Sequence, residues 1–305
     1  MAYTTLISAE DLQTLIASGK PYRVFDCSFD LMQPHAGKNQ YLESHIPGAV
    51  YANLDTDLSA KHGVLGAHGV LTASGADQPA SGGRHPLPNR EKFATWLSSV
   101  GFTNDMQAVV YDRNGANYCG RLWWMLKWAG HEAVAVLDGG LQAWGNYQTQ
   151  SGRLLITSGE EPSHFQSNFI LGPEKATLVP TKIVVDRLGL ANQTLIDARP
   201  PARFKGEVEP LDRVAGHIPG ALNRPFTQNM MADGRFKSAP QLKAEFKALL
   251  GERDPASVVH HCGSGVSALP NLIAMEIAGL GRSGLYAGSW SDWCSDPARP
   301  VAQGD

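Results

Sequence analysis

Short apolar runs alternate along this chain with helix-length amphipathic stretches. V-F-D-C around Asp26, A-V-V-Y-D ending at Asp112, L-I-D-A-R around Asp197 and S-V-V-H-H-C ending at Cys262 read as buried strands. Between them, Arg121 to Ala129 and Asn271 to Ala278 carry a helical pattern. The alternation predicts an α/β fold in which βα units surround a mainly parallel sheet flanked by helices. Trp123, Trp124 and Trp128, at helical spacing, belong to the expected core.

The pattern occurs twice. H-I-P-G-A spans His45 to Ala49 and again His217 to Ala221, each copy after an apolar strand ending in an acid. Each half closes on a strand running to a tryptophan, V-L-D-G-G-L-Q-A-W at Trp144 and L-Y-A-G-S-W-S-D-W at Trp293. Two similar domains are therefore expected, 1–150 and 179–305, joined by a linker at 151–178 rich in turn and breaker residues. The first copy is the longer. Its excess falls in the loop Asp55 to Arg90, which is expected to reach the partner domain because it holds Asp55 and the G-G-R-H-P-L-P stretch around His85. A solvated insertion is the plainer alternative. His45 and His217 are read as structural, since both halves carry them.

Length agrees with this division, because 305 residues exceed what one core usually serves. With 43% hydrophobic and 18% charged residues, nothing keeps the chain from folding. A net charge of −3 with no Lys/Arg cluster argues against nucleic acid or an anionic membrane as partner. No secretory signal pattern or spanning run is found, so a cytoplasmic location is expected. The cysteines Cys27, Cys119, Cys262 and Cys294 are far apart and form no C-x-x-C pair, so free thiols are expected rather than disulfides or a metal site.

One of these thiols stands apart. Where the first half ends its strand on Asp112, in Y-D-R-N-G-A-N-Y, the second ends on Cys262, in H-C-G-S-G-V-S-A. A strand end entering a glycine loop and then a helix exposes its side chain at the carboxyl edge of the sheet. Loop N–H groups and the helix N-terminus there favour negative charge on sulfur. Gly263 and Gly265 permit the turn, and Ser264 and Ser267 add hydroxyls. Cys262 is therefore the candidate nucleophile, against the ordinary reading of a buried free cysteine as a small hydrophobe.

The paired H-I-P-G-A motifs, C-G-S-G-V-S-A and Y-A-G-S-W-S-D-W resemble the two-domain rhodanese-type sulfurtransferases over nearly the whole chain. The loop is most similar to that of 3-mercaptopyruvate sulfurtransferases, which carry threonine where this chain has Ser267. The resemblance implies tandem rhodanese-like domains of which only the second is catalytic. It further implies that Cys262 takes sulfur from a small-molecule donor as a persulfide, cradled by Gly263, Ser264, Gly265, Val266 and Ser267. Thioredoxin, a small thiol or cyanide would accept it. Ser264, His85 and Asp55 match the family's proton-handling positions. Arg203 matches a substrate arginine, with Arg213 near a second and Arg199 a substitute. No metal or organic cofactor is implied.

Thiosulfate-specific relatives tend to place Arg and Lys after the cysteine, and Gly263 and Ser264 are neutral. A monoanionic keto acid needs its cation at the carboxylate, whereas a compact dianion wants cations beside the sulfur. Thiosulfate stays open as donor, because Lys205, Arg213 or Arg235 could supply charge from outside the loop. A cysteine phosphatase would need C-x5-R, and the loop runs to Ala268 instead. A non-catalytic binding module suits the half bearing Asp112 better than the whole chain.

Overall fold

Each apolar run becomes a strand. The computed structural model describes residues 2–60, 78–150, 152 and 155–305. In the first half the order is β1 (Leu6–Ile7), α1 (Ala9–Ala17), β2 (Tyr22–Asp26), α2 (Ala36–Glu43), β3 (Val50–Tyr51), α3 (Arg90–Ser99), β4 (Gln107–Tyr111), α4 (Cys119–Trp128), β5 (Val134–Leu137) and α5 (Gly140–Gln150). The second half follows with β6 (Thr177–Leu178), α6 (Thr181–Asp186), β7 (Thr194–Asp197), α7 (Pro201–Phe204), β8 (Leu222–Asn223), α8 (Ala239–Leu250), β9 (Val258–His261), α9 (Leu269–Ile277), β10 (Gly284–Leu285) and α10 (Ser289–Trp293).

The strands form two five-stranded parallel sheets with matching orders, β1-β5-β4-β2-β3 and β6-β10-β9-β7-β8. Strands β4 and β9 lie at the centre, and all their residues are buried. A central parallel strand is covered on both faces, which is why every residue of these runs is buried rather than every second one, the histidines His260 and His261 included. In each sheet the chain leaves β2 or β7 to one side and returns on the other. The carboxyl ends of β4 and β9 are thus topological switch points, where open α/β sheets bind ligands.

By contact the chain forms two units, Met1–Leu58 with Arg90–Lys175 and Met230–Phe236, and the described part of Ser59–Asn89 with Ala176–Asn229 and Lys237–Asp305. Residues 61–77 of the long loop lie outside the described residues; 78–89, with His85, pack in the second unit. The stretch expected as a linker is different in character from a free connection. His45 and Thr157 form an antiparallel bridge, Phe169 is buried, and Thr177–Leu178 pairs as the edge strand of the second sheet. Apolar side chains hidden among turn residues explain the difference, since burial of Phe169 ties down a segment whose composition reads as a loop.

The tryptophans Trp123, Trp124 and Trp128 are buried in the first unit, and Trp290 and Trp293 in the core of the second. His45 is fully buried, stacks on Tyr41 and donates from Nδ1 to the Tyr41 carbonyl at 2.7 Å. His217 repeats this on Phe204, with a 2.8 Å bond to its carbonyl. Both histidines therefore serve packing.

Candidate active site

Two loops of equal length leave the central strands, Asp112 to Cys119 and Cys262 to Leu269, each ending on the first residue of a helix. Gly115 and Gly265 adopt φ of +67° and +73°, so both loops turn at the same glycine. A side chain at Gly265 would also run into the carbonyl of Ala287.

The first loop displays the chemistry of the turn. Asp112 Oδ1 accepts from the backbone N–H groups of Asn114 and Ala116 at 2.8 and 3.1 Å, and Oδ2 from those of Tyr118 and Cys119 at 2.8 and 2.9 Å. Four backbone donors converge on one buried anion. Cys262 stands at the corresponding position of the second loop.

The backbone of Cys262 is pinned from α10. Ser289 Oγ accepts from the Cys262 N–H at 3.1 Å and donates to the Tyr286 carbonyl, while the N–H groups of Trp290 and Ser291 donate to the carbonyls of Cys262 and Gly263 at 3.0 and 2.9 Å. Ser289 holds this place at φ +56°, a left-handed conformation that costs a non-glycine residue about 1 kcal/mol or more. The Y-A-G-S-W-S-D-W motif thus closes the sheet and fixes the cysteine. Cys262 itself is 2% exposed, beside the buried Gly263, Ser264, Gly265 and Val266; Ser267 is half-buried.

His85 Nδ1 and Ser264 Oγ share a 2.7 Å hydrogen bond, with both side chains buried. Asp55 lies in the first unit, in an exposed turn where its N–H donates to Asn53 Oδ1.

The arginines divide by environment. Arg199 is buried and committed: Nε and Nη2 bind Asp197 at 3.0 and 2.7 Å, Nη1 reaches Glu209, and Nη2 also donates to the Gly216 carbonyl. Burial would lower its pKa, but Asp197 and then Glu209 more than reverse this and raise it. It therefore holds the sheet end together and offers no free edge to a substrate. Arg213 is exposed and, among the described residues, makes no ion pair. It follows Asp212 in a bend.

Arg203 does stand at the loop. Its Nε and Nη2 bind Glu209 at 3.2 and 2.6 Å, and Nη2 also meets Asp212 at 3.2 Å. A methyl group on Gly263 would lie 3.5 and 3.6 Å from its two Nη atoms. Arg84, which sequence reasoning passed over, stands beside it: Nη1 binds Asp212 Oδ1 at 2.6 Å, and Nη2 would lie 3.2 Å from the same methyl. Its signal was its place in G-G-R-H next to His85, but nothing local links residue 84 to residue 263. Glu209, Asp212 and Ser289 were missed for the same reason.

A buried thiol in a turn that matches the Asp112 loop in length and glycine, a histidine–serine pair next to it and guanidinium groups over the following residue make up the candidate site. Residues 8–147 and 181–296 each match the Rhodanese-like domain, and the chain belongs to that family. It is 41% identical over 311 residues, all of both chains, to a probable 3-mercaptopyruvate sulfurtransferase of Pseudomonas aeruginosa. A putative thiosulfate sulfurtransferase of Mycobacterium tuberculosis is 35% identical, over 98% of this chain and 97% of its own. The crystal structure of SseA from Escherichia coli, reported with the catalytic mechanism of 3-mercaptopyruvate sulfotransferases, superposes with a TM-score of 0.74 at 30% identity, over 95% of this chain and 100% of that one.

Proposed function

We propose that this protein is a 3-mercaptopyruvate sulfurtransferase working through a persulfide on Cys262. The observation that carries the reading is the turn itself, because the Asp112 loop binds a carboxylate with four N–H groups and the Cys262 loop repeats its start, length and glycine. Such donors stabilise charge that develops on the cysteine or its persulfide.

Cys262 thiolate attacks the donor's sulfur. The carbon–sulfur bond breaks, its electron pair leaves with pyruvate as the enolate, and one proton returns the enolate to pyruvate. The His85–Ser264 pair, joined by a hydrogen bond, relays that proton. Arg203 holds the donor's carboxylate. The acceptor's nucleophile then attacks the outer sulfur, the sulfur–sulfur bond breaks, and the Cys262 thiolate is regenerated. Thioredoxin, a small thiol and cyanide all suit this step. Four free cysteines accord with a reducing, cytoplasmic setting.

Thiosulfate is the second reading, favoured by the guanidinium groups over Gly263 and by the mycobacterial relative. Against it, Arg84, Arg199 and Arg203 face three carboxylates, Asp197, Glu209 and Asp212, leaving little net charge for a dianion.

The test is kcat/KM for both donors, in wild type and Cys262→Ala, with mapping of the sulfur added to each cysteine peptide. A preference for mercaptopyruvate of about 100-fold is expected, with sulfur on Cys262 alone. Burial first, and neighbouring carboxylates such as Asp112, raise Cys27 and Cys119 well above the ordinary thiol range, so both stay unmodified. Preference for thiosulfate would overturn the donor, and transfer by Cys262→Ala would overturn the nucleophile.

A further inference from the structure

The segment that carries His85 is a closed turn lying on α10. The Ala80 N–H donates to the Leu87 carbonyl and the Leu87 N–H to Ser81 Oγ, both at 2.9 Å, so residues 80–87 fold back on themselves. At the tip of the turn the backbone lies bare against the helix. A side chain on Gly82 would meet the Asp292 carboxylate, and one on Gly83, at φ +87°, would meet the Gly288 carbonyl and Ser291 Oγ. The tip is fastened from the helix side, where Ser291 Oγ accepts from the Arg84 N–H at 3.0 Å.

The same serine holds the cysteine loop. Its N–H donates to the Gly263 carbonyl at 2.9 Å. Gly263 precedes Ser264 in the chain as Arg84 precedes His85. Ser291 therefore grips, with its side chain on one side and its backbone on the other, the two segments that carry the ends of the 2.7 Å His85–Ser264 hydrogen bond. Its hydroxyl proton goes to the Gly288 carbonyl at 3.3 Å, which leaves the oxygen lone pairs to Arg84.

The first copy of the repeat supplies a contrast. Gly140 and Ser289 make the same left-handed turn, at φ +58° and +56°, four residues before Trp144 and Trp293. Two residues further on, the first copy has Gln142 and the second has Ser291. The short hydroxyl stands in the copy whose loop carries the thiol.

We infer that Ser291 is a positioning residue of the proton relay, its Oγ and N–H together setting the distance between His85 and Ser264. This rests on the relay proposed above. Ser291→Ala removes the acceptor of the Arg84 N–H and keeps the bond to Gly263, so it frees the His85 segment and leaves the Cys262 backbone pinned by Ser289 and Trp290.

The experiment compares wild type, Ser291→Ala, Ser291→Thr, His85→Asn and the double variant Ser291→Ala with His85→Asn, using whichever donor the wild type accepts. Alanine is a better helix former than serine, so α10 is kept. Two readouts are taken: kcat and KM for sulfur transfer, and the rate at which diethyl pyrocarbonate labels the His85 peptide, with the His45 and His217 peptides as references. In Ser291→Ala, kcat should fall about 10-fold with KM within about 3-fold, since a misplacement of about 1 Å can cost about 100-fold. Labelling of His85 should quicken about 10-fold while His45 and His217 keep their rates. Ser291→Thr keeps the hydroxyl and should recover most of both changes. In the His85→Asn background, Ser291→Ala should alter kcat by less than about 2-fold.

Unchanged labelling of His85 in Ser291→Ala would overturn the inference, and so would a loss of kcat that persists in full without His85. Faster labelling of all three histidines would mark a general loosening and overturn it as well. Faster labelling of His85 alone with full kcat overturns it where His85→Asn is impaired; where His85→Asn is itself fully active, the relay falls and the contact made by Ser291 stands.

Discussion

His85 and Ser264, 179 positions apart, share a buried 2.7 Å hydrogen bond one residue from Gly263 and two from Cys262. In the reaction proposed above this pair relays the proton, because bulk water has little access to groups so little exposed.

The two side chains should therefore behave as one unit. His85→Asn and Ser264→Ala are each expected to lower kcat for mercaptopyruvate about 100-fold, and the double variant should be no worse than the weaker single. A double-mutant cycle on kcat checks this. Losses that multiply would mean the hydrogen bond is not part of the chemistry.

Asp112 plays the opposite part in its own loop, filling the turn with a fixed negative charge. Asp112→Ala leaves four N–H groups of a buried loop without their acceptor, and unfolding in urea should show a loss of about 3 kcal/mol or more. At temperatures where the variant stays folded, sulfur transfer should stay within about 2-fold of wild type. A folded variant without transfer would give the first unit a place in the reaction.

Low pH should loosen the second unit through β9. Burial, with the charges of His261 and Arg224, lowers His260 to about 3, and burial also lowers His261. Between pH 6.5 and 3 the unfolded chain holds a proton on His260 that the folded chain refuses, so stability is complete above about 6.5 and falls as pH drops. His260 alone accounts for up to about 1.4 kcal/mol per pH unit. Urea midpoints across this range should show the slope, and His260→Leu should flatten it. A slope that survives in the leucine variant would assign it elsewhere.

Much of this fold is legible along the chain. Strand ends at Asp26, Asp197 and His261 and helices near Arg121 and Asn271 fall within a residue or two of the apolar patterns, because a parallel sheet buries its central strands on both faces and leaves no choice of residue there. Cys262 was readable for a related reason: the strand, glycine turn and helix that frame it are consecutive, and the Asp112 copy supplies a contrast within the same sequence.

What the linear chain left open is everything made by contact between distant segments. Whether an arginine is available depends on which carboxylates surround it, so Arg199, Arg203 and Arg213 look alike in sequence and differ completely in burial and pairing. Arg84 became visible only when Gly82 and Gly83 lay against α10 and carried it to Gly263. Local periodicity and one duplicated turn determined the fold and singled out the candidate nucleophile; packing alone decided which charges surround it, because hydrogen bonds and ion pairs between remote residues leave no periodic mark on the sequence.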